Sequence, residues 1–450
     1  MNLLQYNLMN IVAQYGIRGE RASAIVTSVE TAIREGRLEA GAPLPTVREL
    51  AAALRVSPTT VAAAYRTLRV RGLVQAQGRR GTRVSPRPPL LPVRALAQAP
   101  SHVRDVSLGN PDPARLPSFQ RALGSLSRRP GLYGEPANRP ELLALAARQL
   151  HVDGLRHGAL GVVGGALDGI ERVLQAHLRA GDRVAVEDPG YLAVFDLIAA
   201  LGLVAEPVAV DDAGPRPDDL ARALRTRVEA FILTPRAQNP TGAALDAPRA
   251  RELRRVLARH PDVLVVEDDH AGPVSGTAAL SVGQGRERWA LVRSVSKSLG
   301  PDLRLAILAG DATTVARVEG RQSVGTGWVS HLLQDLVVAL WSDPATEVLL
   351  GRAAEAYAAR RDALVRALAA HGIPAHGRSG LNVWVPVPEE AAVVAALAHE
   401  GWAVRAGERY RLRSGPAVRI TVAALAPRDA DRLAAALGRI VRPETRRASA

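Results

Sequence analysis

Of the 58 basic side chains in this 450-residue chain, one is lysine, Lys297, and all the others are arginine. Wherever a plain positive charge suffices, the chain uses arginine. A guanidinium stays protonated and is a poor nucleophile, whereas a lysine amine can be tuned to form a Schiff base with a carbonyl compound. Lys297 stands between hydroxyls in Ser294-Val295-Ser296-Lys297-Ser298, and Arg304, suited to bidentate recognition of phosphate, follows closely.

Three further stretches carry matching chemistry. The apolar run Val263-Leu264-Val265-Val266 leads into Glu267-Asp268-Asp269-His270. It reads as a buried strand ending in acid, at the place where α/β sheets bind ligands. A carboxylate there can keep a pyridine nitrogen protonated, which makes such a ring a better electron sink. In Gln238-Asn239-Pro240-Thr241-Gly242 the Asn239 amide can donate to a phenolate oxygen. Gly164-Gly165-Ala166, followed by Asp168, marks a strand-to-helix junction where backbone N–H groups can approach a phosphate. Each stretch alone has a bland explanation as a turn, a loop or a solvated edge.

The elements that would position these groups follow from hydrophobic period. Short β-like runs at 161–165, 183–187, 205–210, 230–234, 263–267 and 289–294 alternate with helical patterns at 167–179, 192–201, 217–225 and 247–259. That alternation predicts an α/β domain with a mainly parallel sheet. A long helix rich in Ala, Arg and Leu begins near 345, and strand-like runs at 381–387 and 417–422 predict a small α+β lobe. Residues 85–104 carry five prolines and read as a semi-rigid linker. The expected organisation is 1–84, a linker at 85–104, a large domain at 105–345, and a long helix with a small lobe at 346–450.

Residues 1–84 hold twelve Arg against five Asp or Glu, a net +7 out of +14 for the whole chain. Such a field suits a polyanion. Thr46 and Glu49 are spaced as a capping box for a helix at 47–54, and Ser57 with Pro58 can open the next. Two helices joined by a tight turn form a helix-turn-helix whose second helix can lie in the major groove of DNA. Two short strands around Gly78-Arg79-Arg80 predict a wing with arginine at its tip.

This stretch resembles the GntR-type winged helix through Leu44-Pro45, Arg48-Glu49-Leu50-Ala51, Val56-Ser57, Thr60-Val61, Ala64-Tyr65, Leu68, Gly72-Leu73 and Gly81-Thr82. The resemblance implies that Arg48, Ser57, Thr59 and Thr60 face double-stranded DNA, with Arg66, Arg69, Arg79 and Arg80 near phosphates. Pro58 stands where the family has arginine. Residues from about 105 to 440 resemble a fold-type I aminotransferase, which binds pyridoxal 5′-phosphate (PLP), and the whole chain resembles the MocR/GabR-type regulators. That resemblance implies an internal aldimine on Lys297, Asp268 on the pyridine nitrogen and Asn239 on the ring hydroxyl. It puts Arg304, Ser294, Gly165 and Ala166 on the phosphate, Tyr191 over the ring and Arg419 on a substrate α-carboxylate. Tyr133 would reach the phosphate of a neighbouring subunit. Departures from the pattern are His270 in place of tyrosine, Asn138 in place of glycine and Leu143 in place of arginine.

The reading that results is a PLP-dependent transcription regulator that senses an amino acid or other amine through an external aldimine. A working aminotransferase with a DNA-binding head, and a DNA-binding protein with a dead PLP-like domain, stay open as alternatives. A homodimer is expected, with room for each head to cross to the other subunit. No cysteine is present, which excludes thiolate metal sites, and no His spacing suggests a metal. No apolar run reaches the roughly 18 residues of a membrane span, and no export signal opens the chain, so it is expected to be cytoplasmic.

Overall fold

A computed structural model describes residues 16–70, 72–76, 81–85, 103–126 and 131–441. They fall into two compact units. One holds the described residues up to 85 with segments 179–183 and 195–205, and the other holds the rest. The linker expected at 85–104 lies almost wholly outside the described residues, as do Arg79 and Arg80.

In the head, helices α1 (Ala22–Arg34), α2 (Val47–Leu54) and α3 (Pro58–Val70) enclose a core of Ile25, Val29, Leu50, Val61, Tyr65 and Leu68. Thr46 Oγ1 accepts from the Glu49 N–H at 3.3 Å, and Glu49 Oε2 accepts from the Thr46 N–H at 2.7 Å. This reciprocal cap satisfies two donors that a helix start leaves open. Arg55 turns the chain in the left-handed region, and Ser57 then accepts from the Thr60 N–H at 3.1 Å to start α3. The buried Tyr65 hydroxyl donates to Pro45 O at 2.7 Å, tying α3 to the approach of α2. Strands β1 (Val74–Ala76) and β2 (Thr82–Val84) pair antiparallel as the wing. The first wing strand starts at Val74 rather than Gly72, because Gly72 takes a positive φ of 68° in the turn after α3.

In the larger unit, the two-residue strand β3 (Arg104–Asp105) is followed by the strands of the main sheet. These are β4 (Ala159–Val163), β5 (Arg183–Asp188), β6 (Val204–Asp211), β7 (Gly214–Pro215), β8 (Val228–Leu233), β9 (Leu264–Asp269), β10 (Trp289–Ser294) and β11 (Ala306–Gly310). Their order is β4-β11-β10-β9-β8-β5-β6-β7. Strands β8, β9 and β10 run parallel, and β11 runs antiparallel between β10 and β4. Gly164 and Gly165, expected inside a strand, lie beyond its end, since Gly165 has φ 107° and closes a turn. A 27-residue helix, Pro344–Ala370, leads to β12 (Asn382–Pro386), β13 (Trp402–Ala403), β14 (Arg405–Ala406) and β15 (Ala417–Thr421). β12, β15 and β14 form the sheet of the small lobe.

A buried ionic knot fixes the carboxyl end of β9. Asp269, 1% exposed, accepts from Arg236 Nε at 2.8 Å, Arg236 Nη2 at 2.9 Å and Arg293 Nε at 2.7 Å. Asp153 bridges the same two guanidiniums, at 3.1 Å from Arg236 and 2.8 Å from Arg293. These cations hold the Asp269 carboxyl well below the usual carboxylate range, against the opposing effect of burial.

Two outcomes follow. Thr46→Ala removes a side-chain cap worth about 1 kcal/mol, so amides 48–50 should exchange with solvent roughly fivefold faster, as read by hydrogen–deuterium exchange. Asp269→Asn leaves two buried guanidiniums short of their counter-charge and should lower unfolding free energy by roughly 3–5 kcal/mol in urea titration. The Asp269 contribution is complete above the unfolded carboxyl value near 4 and is lost as pH falls below it. The acid limb of the stability curve should therefore be flatter in the variant than in the parent chain.

Candidate functional site

The chain leaves β10 at Ser294 and turns, presenting Lys297 beside the end of β9. Lys297 Nζ donates to Gly109 O at 2.6 Å. Burial, with Arg419 adding, pulls its ammonium down to about 8, while Asp268 opposes. A sizeable fraction of the amine is therefore unprotonated near neutral pH.

Asp268 and Asp269 are neighbours with opposite fates. Successive side chains of a strand point to opposite faces, so Asp269 enters the ionic knot while Asp268 turns to the side of Lys297. The resemblance names Asp268 alone for the pyridine nitrogen, and it is Asp268 whose charge interacts with Lys297. Asp268 is buried, and its Oδ1 has no hydrogen-bond partner among the described residues. Burial first, then Asp269, pushes its carboxyl up to about 7, with Lys297 opposing. A buried acceptor without a donor is costly, and a protonated ring nitrogen supplies both the donor and the charge.

His270 follows directly, with Nδ1 at 3.9 Å from Asp268 Oδ2. Burial first, then Lys297, pulls its imidazolium down to about 4, so the ring is neutral and has one N–H to donate. Asn239 Oδ1 accepts from Arg419 Nη1 at 3.1 Å and from Asn382 Nδ2 at 3.5 Å. Only the oxygen can accept, so the Asn239 NH₂ is the end left to donate. Tyr191 packs with Trp384 and Tyr410. Its phenol is pushed up by burial, Tyr410 and Asp268, with Arg419 and Arg304 opposing, which sets it among the same groups.

Arg419, on β15, is 3% exposed and has no carboxylate partner among the described residues. Its guanidinium donates to Asn239 Oδ1 and, at 2.6 Å, to Ser107 O, lies 5.0 Å from the Tyr410 ring centroid, and leaves Nε buried without an acceptor. A buried cation in this state is a receptor for a carboxylate.

At the other end, the helix Ala166–His177 begins at Gly165 without a side-chain cap, so its first N–H groups are open to an anion. A Cβ on Gly165 would stand 2.8 Å from Arg304 Nη2, so glycine alone lets the guanidinium close on this turn. Arg304 Nη2 donates to Gly164 O at 3.3 Å, and Ser294 Oγ accepts from the Ser296 N–H at 3.1 Å.

The pocket therefore offers an anion cup, an orphaned carboxylate, an amide donor, a buried amine and a carboxylate receptor. This set fits PLP carrying an amino acid. Tyr133 is not part of it. It is 93% exposed and meets Trp328 edge-on at 5.7 Å. Asn138 donates to Glu319 at 2.8 Å and Leu143 packs in the core, so these two departures are absorbed by packing rather than by the pocket. Gly109, Tyr410 and Asn382 were not singled out from sequence. Gly109 acts through its carbonyl, which no side-chain pattern reveals. In the head, the hydroxyls of Ser57, Thr59 and Thr60 meet within 2.8 Å at the start of α3, with Arg48 and Arg66 exposed.

Both parts of the chain match known families. Residues 21–84 match the family model for bacterial regulatory proteins of the gntR family, and residues 108–437 match the model for aminotransferase class I and II. The vitamin B6 salvage pathway transcriptional repressor PtsJ of Salmonella typhimurium is 45% identical over 425 residues, 93% of this chain and 98% of that protein. The regulator TauR of Rhodobacter capsulatus is 28% identical over 83% of this chain and 85% of its own. An archaeal alanine:glyoxylate aminotransferase superposes with a TM-score of 0.69 at 20% identity, over 75% of this chain and 90% of that one. The α-aminoadipate aminotransferase LysN of Thermus thermophilus gives 0.67 at 22% identity, over 76% and 92%. Both structures show the fold. With a gntR-type head, an aminotransferase-like body and a near full-length relative at 45% identity, this chain belongs to the MocR/GabR-type transcriptional regulators.

Proposed function

We propose that this regulator binds double-stranded operator DNA through its winged helix and reads an amine through PLP held in the body. The observation that carries the reading is the orphaned Asp268 Oδ1 beside the chain's sole lysine. Bound there, PLP supplies an aldehyde that either Lys297 or a ligand amine can hold covalently. Asp268 keeps the ring nitrogen charged, Asn239 and His270 donate to the ring oxygen, and Tyr191 covers the ring. Arg304, Ser294, Gly165 and Ala166 hold the phosphate.

Arg419 gives the ligand its second handle. A carboxylate there answers the buried guanidinium, whose Nε and remaining terminal N–H groups are open to it. Because Arg419 sits on the small lobe's central strand, the ligand's carboxylate and amine ends engage different parts of the body. DNA affinity then changes by as much as the ligand discriminates between the two forms.

The head presents Ser57, Thr59 and Thr60 with Arg48 to the major groove and Arg66 to phosphate. Two half-sites call for two heads. Exposed Tyr133, with Leu132 and Leu332 also exposed, supports a homodimer in which Tyr133 reaches the partner's phosphate site and the heads cross over. Among the described residues no helix is long and apolar enough to cross a membrane. We place the protein in the cytoplasm, with access to DNA. The relative named for vitamin B6 salvage makes the genes of that pathway the first targets to test.

Lys297 must shed a proton to react. Uptake of PLP by the apo chain, followed by absorbance, should accelerate as pH rises through about 8 and level off above it. An inflection near the ordinary lysine value of about 10.4 would contradict the pocket's effect on Lys297. Borohydride should fix a pyridoxyl adduct on Lys297 and none on Lys297→Ala. DNase footprints of the operator should change on adding PLP or an effective amino acid. A footprint indifferent to PLP, pyridoxal and a broad amine panel would end the sensing reading, and steady transamination at about 1 per second or faster would favour an enzyme with a DNA-binding head.

A further inference from the structure

A second carboxylate lies beside the ring pocket and has no part in the reading above. Glu187, near the carboxyl end of β5, is 3% exposed. Its Oε2 accepts from Gln238 Nε2 at 3.3 Å, and its Oε1 is buried without a hydrogen-bond partner among the described residues. Gln238 is fully buried and its amide is used at both ends. Nε2 also donates to Pro189 O at 2.8 Å, and Oε1 accepts from the Thr241 N–H at 2.9 Å and the Thr241 hydroxyl at 2.6 Å. The amide thus joins the turn at 188–191, which carries Tyr191, to the turn at 238–242, which carries Asn239.

Among the described residues no ion pair reaches Glu187. From β9 it faces another carboxylate, Asp268; from the end of β8 and the following turn it faces the neutral donors Thr234 and Gln238. Asp188, next in the chain, is occupied by the N–H groups of Leu412, Arg413 and Ser414. Burial first, with Asp268 adding, pushes the Glu187 carboxyl up to about 8 against those neutral donors. An ionised Glu187 would set a second anion near the one that must answer the ring nitrogen.

We propose that Glu187 is a positioning residue of the ring pocket: as a neutral acid it seats Gln238, and through Gln238 it fixes the spacing of Tyr191 and Asn239. This rests on the PLP reading of the same pocket.

The test uses the full chain, PLP and two variants, Glu187→Gln and Glu187→Ala. In the infrared, the parent-minus-Glu187→Gln difference spectrum of the apo chains, in which the shared absorption of Asp268 and Glu267 cancels, should show a protonated-carboxyl component at neutral pH that fades as pH rises through about 8. PLP affinity, read by fluorescence titration, should fall across that pH range in the parent. Glu187→Gln should keep the neutral-pH affinity within about threefold and lose its share of the pH step, whereas Glu187→Ala should bind about tenfold more weakly. Lys297 titrates nearby, and its contribution persists in both variants, so the difference between parent and Glu187→Gln isolates Glu187. A packing role alone would leave the pH step unchanged in Glu187→Gln. The proposal is overturned if that step is unchanged, if the difference spectrum shows no protonated-carboxyl component, or if Glu187→Ala binds PLP as tightly as the parent. A parent chain that takes up no PLP would overturn the cofactor reading and this role with it, while the infrared band would still report the protonation of Glu187.

Discussion

The body is organised around charges kept dry without an opposite charge of their own. Asp268 and Arg419 are buried, with Asp268 Oδ1 and Arg419 Nε lacking a hydrogen-bond partner among the described residues, and Lys297 between them is half-buried with only a backbone carbonyl to hold. Burial drives them toward neutrality, the acid up and the bases down. A protein tolerates such groups where a ligand completes them. On the proposed reading PLP answers them in turn: its ring nitrogen meets Asp268, its aldehyde carbon is held by Lys297 or by the ligand amine that replaces it, and the ligand's carboxylate meets Arg419.

The scaffold separates these groups from charges of similar type that only stabilise. The alternation of β9 does the sorting. Asp269 falls on the face where Arg236, Arg293 and Asp153 close a complete ionic knot, and the adjacent Asp268 falls on the face where nothing closes. The knot anchors the strand end, so the unpaired carboxylate beside it is held by a rigid neighbour rather than by contacts of its own. The same division appears at the phosphate end. Asp168 takes the Gly164 N–H and pairs with Arg172, whereas Arg304 has no carboxylate partner among the described residues.

Much of this was legible in the sequence because it depends on local chemistry. The cap of α2 is set by Thr46 and Glu49, three residues apart, and β10 runs from Trp289 to Ser294 as its apolar pattern indicates. Gly164 and Gly165 were harder to place, since glycine suits the end of a strand and the turn after it equally, and only the positive φ of Gly165 decides. β11 was not singled out. Its run of Ala306 to Gly310 is short, apolar on both faces and directly behind Arg304, so it carries no alternation to distinguish it. The partition of Asp268 from Asp269 needed the positions of Arg236, in the turn after β8, and Arg293, on β10, both far away in the sequence. The contact of Lys297 with Gly109 is made to a carbonyl, and a backbone acceptor leaves no trace in residue identity.

Arg419 shows why such a pocket can report occupancy and not merely permit it. Its guanidinium holds Asn239 Oδ1 with one nitrogen and Ser107 O with another, so it is already tied to a group that faces the ring. Nε and one N–H of each terminal nitrogen stay open, so a carboxylate can take a fork of donors from Arg419 while the guanidinium still holds Asn239. On the proposed reading, the ligand's carboxylate and Asn239 would share one guanidinium, which links the two ends of the pocket. On the proposed reading, a compound with only an amine or only a carboxylate engages one end of the pocket, and an amino acid, which carries both, engages the two ends together.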